Sequence, residues 1–600
     1  MTNFISFNAV TNLYPSRRSV VYGKNGMVCT SQTLAAQAGL DVLKKGGNAI
    51  DAALATAISL TVLEPPSNGI GSDLFALVWY KGKLYGLNGS GPAPAALTRE
   101  AVIKKMKADG KVLGTGITQG MSNVLHSQNS KSGSGSVRSD GNDNSKSGMT
   151  VLLTDTNERS SGIITDLSSS DMPDNGWETV TIPGAPASWK ALHERFGAAD
   201  FAYLFDAAIR YAEEGFPLQP ICSKLWKKNV PKVSGLKNEK EYQPMLETFF
   251  IDKKLEPGNI VKLPEMGKTL RRLAESGCDS FYTGNIAREI LQFAHETGGY
   301  FTEADLKNYK PEWVEPISLN YRGYDVCEIP PNGHGLVVLM TLNILQQLSY
   351  REKENPETVH KQLEAMKIGF TDGKMYIADP RYMKADVAYF LGEEYGKKRA
   401  AEIAAEAHLP RPVDLNCGGT VYLCTADKEG NMVSLIQSHF NNFGSKLSVP
   451  GTGILLNNRG KNFSLDPEHD NCLAPGKKPY HTIIPGFLMK DGEPVGPFGV
   501  MGAFMQPQGQ VQVVNNLVDF GLNPQEALDA PRWQWTGGKT VEVEASFDKT
   551  IVEDLKQRGH DIKVMEEFTS FGRGQIIVRQ PDGVYAAATE PRADGVVAAW

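Results

Sequence analysis

Gly418-Gly419-Thr420 is the tripeptide whose residue types and order indicate chemistry in this sequence. A flexible di-glycine directly before a hydroxyl residue leaves a peptide carbonyl within reach of that hydroxyl. Thr420 also opens the stretch TVYLCTADKEGNMVSLI, which predicts two strands joined by a turn at 428–431. On its own the tripeptide is more typical of an ordinary loop before a strand, so its interpretation depends on the rest of the chain.

Other catalytic groups have less support in the sequence. A thiol hydrolase built on Cys417 or Cys424 is an alternative, but no neighbouring histidine would lower the pKa of either thiol. The ten histidines form no His-x-x-x-His pair in a helical setting, and the seven cysteines lack the spacing of a zinc site. We therefore predict no metal ion and no cofactor.

The composition is that of a globular protein. The 600 residues are 41% hydrophobic and 22% charged, with a net charge of -6, which argues against nucleic-acid binding. No apolar run approaches the roughly 18–20 residues of a membrane span, and the N-terminus does not resemble a signal peptide. The cysteines are sparse and odd in number, so we expect no disulfide framework and a cytoplasmic location.

The patterns along the rest of the chain indicate an α+β body in which helices cover sheets. Ala49–Leu63 is small or apolar on nearly all sides, which predicts a buried helix with Asn48 as its N-cap. A Ser-, Gly- and Asn-rich stretch at about 122–148 predicts a flexible insertion with outer limits of about 119–176. The tail alternates strands and a helix, at Thr482–Met489, Gln510–Phe520, Thr540–Val543 and Gly574–Val578.

A series of short motifs runs in order from about residue 26 to 600. They include Gly46–Ala53, Glu64-Pro65, Gly69–Gly71, Pro183-Gly184, Glu364–Lys367, Asp379-Pro380, Asp427–Asn431, Phe443–Ser445, Gly451–Asn458, Ala530–Arg532 and Pro591–Gly595. Together they resemble the γ-glutamyltranspeptidase family. The resemblance implies an N-terminal nucleophile hydrolase with a four-layer αββα sandwich. It also implies that the chain cuts itself into a large subunit, 1–419, and a small subunit, 420–600.

The resemblance assigns roles around the proposed cut between Gly419 and Thr420. Thr420 stands where the family keeps its nucleophile, and its freed α-amine, with a reference pKa of about 7.7–8.0, would act as base for its own hydroxyl. Ser438 matches a family hydroxyl that supports the nucleophile. Gly502 and Ala503 fall on the Gly-Gly pair of the oxyanion hole. Alanine is acceptable there if its φ angle permits, because backbone N–H groups bind the oxyanion.

The substrate pocket departs from the family pattern. Ser90 stands where the family carries an arginine for the substrate α-carboxylate, and Arg459 and Asn462 replace a polar pair that includes an aspartate for the α-amine. His481-Thr482 replaces consecutive serines, and the segment at 463–479 is shorter than in relatives with a lid loop. These features are closer to the lidless branch of acylases and amidohydrolases.

We therefore expect an autoprocessed amidohydrolase that acts on a small amide through an acyl-enzyme on Thr420. The favoured substrates carry one carboxylate and no amine on the acyl part, with Arg459 or His481 available for that carboxylate. A glutathione hydrolase or γ-glutamyltransferase is the alternative, and an unprocessed, inactive binding protein is the alternative of another class. The subunits are expected to stay associated, without a nucleic-acid or membrane partner. Higher oligomers, and hydrolysis as against transfer, stay open.

Overall fold

The computed structural model describes residues 18–109, 172–410, 415 and 418–600. Most of the predicted insertion lies outside these residues, as does Cys417. Among the described helices, none is both long enough and apolar enough to cross a bilayer.

The strands and helices alternate irregularly along the chain. The strands are β1 Val21–Gly23, β2 Gly26–Thr30, β3 Asp73–Tyr80, β4 Lys83–Gly89, β5 Phe216–Pro217, β6 Ile260–Val261, β7 Glu312–Val314, β8 Ile317–Tyr321, β9 Tyr324–Glu328, β10 Val421–Asp427, β11 Met432–Ser438, β12 Ser448–Val449, β13 Ile454–Leu455, β14 Gly486–Lys490, β15 Glu493–Met501, β16 Trp533–Gly537, β17 Thr540–Glu544, β18 Asp561–Met565, β19 Arg573–Arg579, β20 Tyr585–Thr589 and β21 Val596–Ala599. The helices are α1 Thr33–Lys44, α2 Ala49–Leu63, α3 Arg99–Ala108, α4 Ala185–Phe196, α5 Asp206–Glu214, α6 Pro220–Ser234, α7 Gln243–Phe249, α8 Pro264–Glu275, α9 Asn285–Thr297, α10 Glu303–Lys307, α11 Gly335–Leu345, α12 Pro356–Tyr376, α13 Val387–Leu391, α14 Glu393–Ala400, α15 Met505–Val518, α16 Pro524–Asp529 and α17 Lys549–Gln557.

Two seven-stranded antiparallel sheets form the centre of the molecule. The β10 sheet has the order β21-β2-β10-β11-β3-β4-β7, and the β15 sheet has the order β1-β20-β19-β15-β14-β9-β8. Apolar side chains of both sheets meet between them, among them Phe75 and Tyr422 from the β10 sheet and Phe487 and Ile577 from the β15 sheet. Burial of this apolar surface on two facing sheets is what joins them.

Helices cover the outer face of each sheet. Helix α2 is buried along its whole length against the β10 sheet, α11 and α15 pack on the β15 sheet, and α12 packs on α11. The result is four layers in the order helix, sheet, sheet, helix, which confirms the predicted αββα class. Each sheet contains strands from before and from after Thr420.

The predicted start of α2 is confirmed in detail. The Asn48 Oδ1 atom accepts hydrogen bonds from the backbone N–H groups of Ile50 and Asp51 at 2.9 and 3.0 Å. In return, the Asp51 carboxylate accepts from the backbone N–H of Asn48 at 3.0 Å. This reciprocal capping box satisfies donors that the first turn of a helix leaves free.

Two predicted elements of the tail have different bounds in the structure. The strand predicted for Thr482–Met489 begins only at Gly486, because residues 482–485 form an irregular segment next to the site described below. The helix predicted for Gln510–Phe520 begins earlier, at Met505. Pro507 does not prevent this, because it lies in the first turn, where its missing N–H group removes no intrahelical hydrogen bond.

Candidate active site

The β10–β11 hairpin places Thr420 opposite Ser438. Val421, the first residue of β10, pairs with Gln437, so the next pair outward is Thr420 with Ser438. The two hydroxyl oxygens lie 3.0 Å apart, and both side chains are buried. Since β10 has neighbours on both sides in the sheet, the hairpin is a rigid support for this pair.

The carbonyl oxygen of Gly419 lies within hydrogen-bond distance of both hydroxyl oxygens. Its oxygen lies 2.8 Å from Thr420 Oγ1 and 2.9 Å from Ser438 Oγ. The Ser438 oxygen also accepts from the backbone N–H of Phe440 at 2.8 Å. A hydroxyl has one proton to donate, so the proton of Ser438 is directed at the Gly419 carbonyl while Thr420 donates to Ser438. This arrangement polarises the peptide bond between Gly419 and Thr420.

Close packing explains why both residues before Thr420 are glycines. A Cβ atom on Gly419 would lie 2.4 Å from Asn442 Oδ1, and one on Gly418 would lie 2.6 Å from the carbonyl oxygen of Phe440. The same added Cβ on Gly418 would lie 3.3 Å from the Cβ of Ala503. The segment before Thr420 is therefore held tightly between the hairpin loop and the Gly502-Ala503 pair.

Gly502 and Ala503 present free backbone N–H groups beside this segment. They lie between the end of β15 and the start of α15, where the helix dipole favours negative charge. Within the described residues, no acceptor binds either N–H group. Their φ angles are 141° and 51°, so Ala503 adopts the left-handed conformation although it is not a glycine.

Arg459, His481 and Thr482 meet around a residue that the sequence analysis did not select, Asp73. Arg459 donates from Nε to Asp73 Oδ2 at 3.3 Å and from Nη1 to Thr482 Oγ1 at 2.6 Å. His481 Nε2 lies 3.1 Å from the same Asp73 oxygen. Asp73 is the cross-strand partner of Ser438, so the cluster lies directly beside the Thr420–Ser438 pair.

Complete burial sets the charges of this cluster. Burial raises the pKa of Asp73 to about 7, against the opposing attraction of the Arg459 guanidinium. Burial also lowers the pKa of Arg459 to about 10 and moves the pKa of His481 well below its usual value, so His481 is neutral. A neutral His481 donates its Nε2 proton to Asp73, and that carboxylate is shared between two donors.

Ser90 and Asn462 lie at two further borders of the cluster. The Ser90 hydroxyl donates to Asn88 Oδ1 at 2.7 Å, and Asn88 in turn bonds Asn332. Ser90 carries no charge that could replace an arginine. Asn462 ends the 3₁₀ turn Arg459–Asn462, and its side-chain nitrogen is buried without a hydrogen-bond partner among the described residues.

A family model described as γ-glutamyltranspeptidase matches residues 35–125 and 158–600. The chain belongs to the γ-glutamyltranspeptidase family. A solved cephalosporin acylase from Bacillus halodurans is 50% identical, with a TM-score of 0.86 and 99% of each chain covered. The glutathione hydrolase-like YwrD proenzyme of Bacillus subtilis is 31% identical over 96% of this chain and 98% of its own. The oxamate amidohydrolase proenzyme of Klebsiella pneumoniae is 29% identical, with the same coverage.

Family membership confirms the predicted enzyme class. The protein is an autoprocessed amidohydrolase of the N-terminal nucleophile type. The alternative of an inactive binding protein therefore loses its support. The thiol alternative is also unfavourable at Cys424, since that side chain lies in the core between the sheets and burial raises its pKa well above the usual value.

One cluster outside the family site has the residue types of a metal centre. Ligand atoms of His360, Glu364 and His560 lie within 4.8 Å of one another. Lys367 donates to Glu364 at 2.7 Å and to His560 Nδ1 at 3.3 Å, so His560 donates from Nε2 to His360 Nδ1 at 2.9 Å. His360 then donates to the Ala404 carbonyl at 2.8 Å. Every nitrogen has a partner in this chain of bonds, and we assign it no metal.

Proposed function

We propose that Thr420 is the nucleophile of this enzyme, first against its own chain and then against a small amide. The observation that carries the proposal is the position of the Thr420 hydroxyl, 2.8 Å from the Gly419 carbonyl oxygen and 3.0 Å from Ser438. Attack of this oxygen on the Gly419 carbonyl carbon converts the peptide bond into an ester and frees the Thr420 amine. Water then cleaves the ester, leaving a carboxylate on Gly419 and the free hydroxyl on Thr420.

The same groups support the second reaction. The freed α-amine, with a reference pKa of about 7.7–8.0, takes the proton of the Thr420 hydroxyl as it attacks the amide carbonyl. The N–H groups of Gly502 and Ala503 stabilise the negative charge on the carbonyl oxygen, and the leaving amine takes up a proton. Water hydrolyses the acyl-enzyme and regenerates Thr420.

The test of this function is the state of the purified chain on a denaturing gel. Scaling 65.4 kDa by the 419 and 181 residues on either side of the cut gives fragments of about 46 and 20 kDa. N-terminal sequencing of the small fragment should begin Thr-Val-Tyr, and Thr420→Ala should remain one band. Amide hydrolysis by a chain that stays intact would contradict the mechanism.

The substrate class is proposed to be a small amide other than a γ-glutamyl compound. Support comes from the uncharged Ser90 at the position where the family carries an arginine, and from relatives named as a cephalosporin acylase and an oxamate amidohydrolase. We expect γ-glutamyl anilide to be a poor substrate of the processed enzyme. One relative is named as glutathione hydrolase-like. If kcat/KM for a γ-glutamyl amide exceeds that for other small amides by more than about tenfold, equal to about 1.4 kcal/mol, the result would favour the alternative of a glutathione hydrolase or γ-glutamyltransferase.

A cytoplasmic location is part of the proposal. Six cysteines lie within the described residues and all of them are free thiols, five of them buried. Free thiols are typical of a reducing compartment. Fractionation of the source cells, with an antibody against the small fragment, tests this location.

A further inference from the structure

We propose that Gln506 and Gln510 position the oxyanion donors of the site by holding the backbone of Ile484. This inference rests on the proposed function, in which the N–H groups of Gly502 and Ala503 stabilise the charge on the substrate carbonyl oxygen. It adds two positioning residues to that function, which act through the first turn of α15 and not on the substrate.

Four buried glutamines alternate along the first two turns of α15. They are Gln506, Gln508, Gln510 and Gln512. A buried amide is costly unless its donor and acceptor groups find partners. Because residues four apart lie on the same face of a helix, the set divides into two pairs, Gln506 with Gln510 and Gln508 with Gln512.

The first pair binds both backbone groups of Ile484. The Ile484 N–H donates to Gln506 Oε1 at 3.0 Å, and the Ile484 carbonyl accepts from Gln510 Nε2 at 2.9 Å. Ile484 belongs to the irregular segment 482–485, which precedes β14. The two amides therefore take the place of a neighbouring strand, and we call this arrangement the Gln506–Gln510 clamp.

The segment that the clamp holds is itself fixed at its other end. The His481 N–H donates to the Asn332 carbonyl, and the His481 carbonyl accepts from the His334 N–H, both at 2.9 Å. Three residues after His481, Ile484 is thus part of an anchored stretch of backbone. A helix turn tied to this stretch is restrained by it.

The same turn of α15 sets the direction of the oxyanion donors. The Gly502 carbonyl accepts from the Met505 N–H at 3.0 Å, and this carbonyl shares one planar peptide unit with the Ala503 N–H. The Ala503 carbonyl accepts from the Gln506 N–H at 3.1 Å. Gln506 thus binds the turn through its backbone and Ile484 through its side chain. Ala503 has a φ angle of 51°, a conformation that persists only where the surroundings hold it.

The uncut chain indicates which of the two reactions depends on the clamp. The Gly419 carbonyl oxygen lies within hydrogen-bond distance of the hydroxyls of Thr420 and Ser438. Among the residues that the structure describes, none accepts a hydrogen bond from the N–H groups of Gly502 and Ala503. Loss of the clamp should therefore slow amide hydrolysis and leave self-cleavage unchanged, whereas a general loss of structure would slow both reactions.

The test uses Gln506→Met and Gln510→Met, each of which replaces the amide with an unbranched side chain that has no N–H donor or amide oxygen. Loss of a whole oxyanion donor costs about 10²- to 10³-fold in kcat, so a loosened turn should lower kcat about tenfold. The substrate is glutaryl anilide or γ-glutamyl anilide, whichever the processed wild type turns over faster. KM should stay within about twofold, as should the rate at which the two fragments appear on a time-resolved gel.

The matched control is Gln512→Met on the same helix. Gln512 is buried, accepts from the Trp533 N–H at 3.2 Å and donates to the Trp533 carbonyl at 3.0 Å. In the uncut Thr420→Ala background, this variant should lower the thermal midpoint at least as much as Gln506→Met. In the processed enzyme it should keep kcat within about twofold of the wild type.

Three outcomes would overturn the inference and leave the proposed function standing. One is an unchanged kcat in both clamp variants. Another is an equal loss of kcat in Gln512→Met. The third is a loss of self-cleavage in the clamp variants as large as their loss of hydrolysis.

Phenylboronic acid tests the oxyanion donors without a substrate. The Thr420 oxygen forms a bond to boron, its proton passes to the α-amine, and boron becomes tetrahedral and negatively charged, with one hydroxyl oxygen directed at the Gly502 and Ala503 N–H groups. Calorimetry on the processed enzymes should show about tenfold weaker binding to Gln506→Met than to the wild type, a difference of about 1.4 kcal/mol. Gln512→Met should bind as the wild type does.

The boronate measurement also covers an enzyme that turns over neither anilide. That result counts against the substrate class of the proposed function, and the affinities then decide the inference. Equal affinity of the wild type and Gln506→Met, or no binding to the wild type, would overturn it.

Discussion

Ser438 contacts both the carbonyl of the proposed cleavage site and the hydroxyl of the proposed nucleophile. Its hydroxyl donates to the Gly419 carbonyl and accepts from Thr420, so its removal leaves the scissile bond less polarised. One donor at a developing oxyanion contributes about 10²- to 10³-fold in rate. We expect Ser438→Ala to slow the appearance of the fragments by about 100-fold on a time-resolved gel. Ser438→Thr retains the hydroxyl and should process much faster than the alanine variant, whereas equal rates for both variants and the wild type would remove Ser438 from the mechanism.

Ala503 has an unfavourable backbone conformation. A non-glycine residue in the left-handed region costs roughly 1–2 kcal/mol, and replacement by glycine removes this cost. Glycine also gives the unfolded chain more conformational freedom, which offsets part of the gain. In the uncut Thr420→Ala background, we expect Ala503→Gly to raise the free energy of unfolding by about 1 kcal/mol or less. In the processed enzyme kcat should stay within about twofold, because the N–H group is kept. Ala503→Val, with a branched Cβ beside Gly418, should lower the free energy of unfolding, and a stabilised valine variant would refute this account.

Sequence reasoning found the residues with recognisable chemistry but not the group that holds them. Thr420, Ser438, Arg459 and His481 lie near each other as the resemblance implied, although their roles remain predictions. Asp73 was missed because its partners are hundreds of residues away in sequence. Only the pairing of β3 with β11 brings it beside Ser438, and such pairing is a long-range property.

Gly39 decides how closely α1 can approach α2, the buried helix behind β10. A Cβ atom there would lie 2.3 Å from Thr56 Oγ1 and 2.9 Å from the Ala52 carbonyl oxygen. We expect Gly39→Ala to lower the free energy of unfolding by about 1–3 kcal/mol, because rigid backbone must move. Urea unfolding of the uncut Thr420→Ala chain measures the change.

Gly235 is the matched control for this prediction. Its added Cβ would have its nearest described neighbour at 3.9 Å, and its φ angle of -68° suits alanine. Gly235→Ala should therefore be neutral or stabilise by up to about 1 kcal/mol through the unfolded chain. Equal losses in the two variants would show that helix contact at Gly39 is not the cause.

Elements with one clear periodic pattern could be predicted, and elements with mixed signals could not. Helix α2 was predicted with its N-cap, since an apolar run follows a capping residue. Strand β15 was not predicted, because its two prolines and two glycines, Pro494, Pro497, Gly496 and Gly499, are typical of a loop. Its neighbours β14 and β19 impose the extended form. Helix α6 was missed because Pro231 lies inside it.

The whole molecule predicts that the two fragments remain one particle after the cut. In the β10 sheet, β10 and β11 from after the cut lie between β2 and β3 from before it. In the β15 sheet, four strands from after the cut are flanked by β1 and β9. We expect the processed enzyme and Thr420→Ala to elute at the same volume from a sizing column under native conditions. Separation of the fragments without denaturant would contradict the interleaved arrangement.

Interleaving also makes the cut a one-way step for folding. Before the cut, all strands of both sheets belong to one covalent chain, so refolding is a first-order process. Afterwards, neither fragment holds all the strands of either sheet, so recovery from the unfolded state depends on the collision of two pieces and on their concentration. The working lifetime of the enzyme is then set by how slowly the native particle opens and not by its equilibrium with unfolded chains.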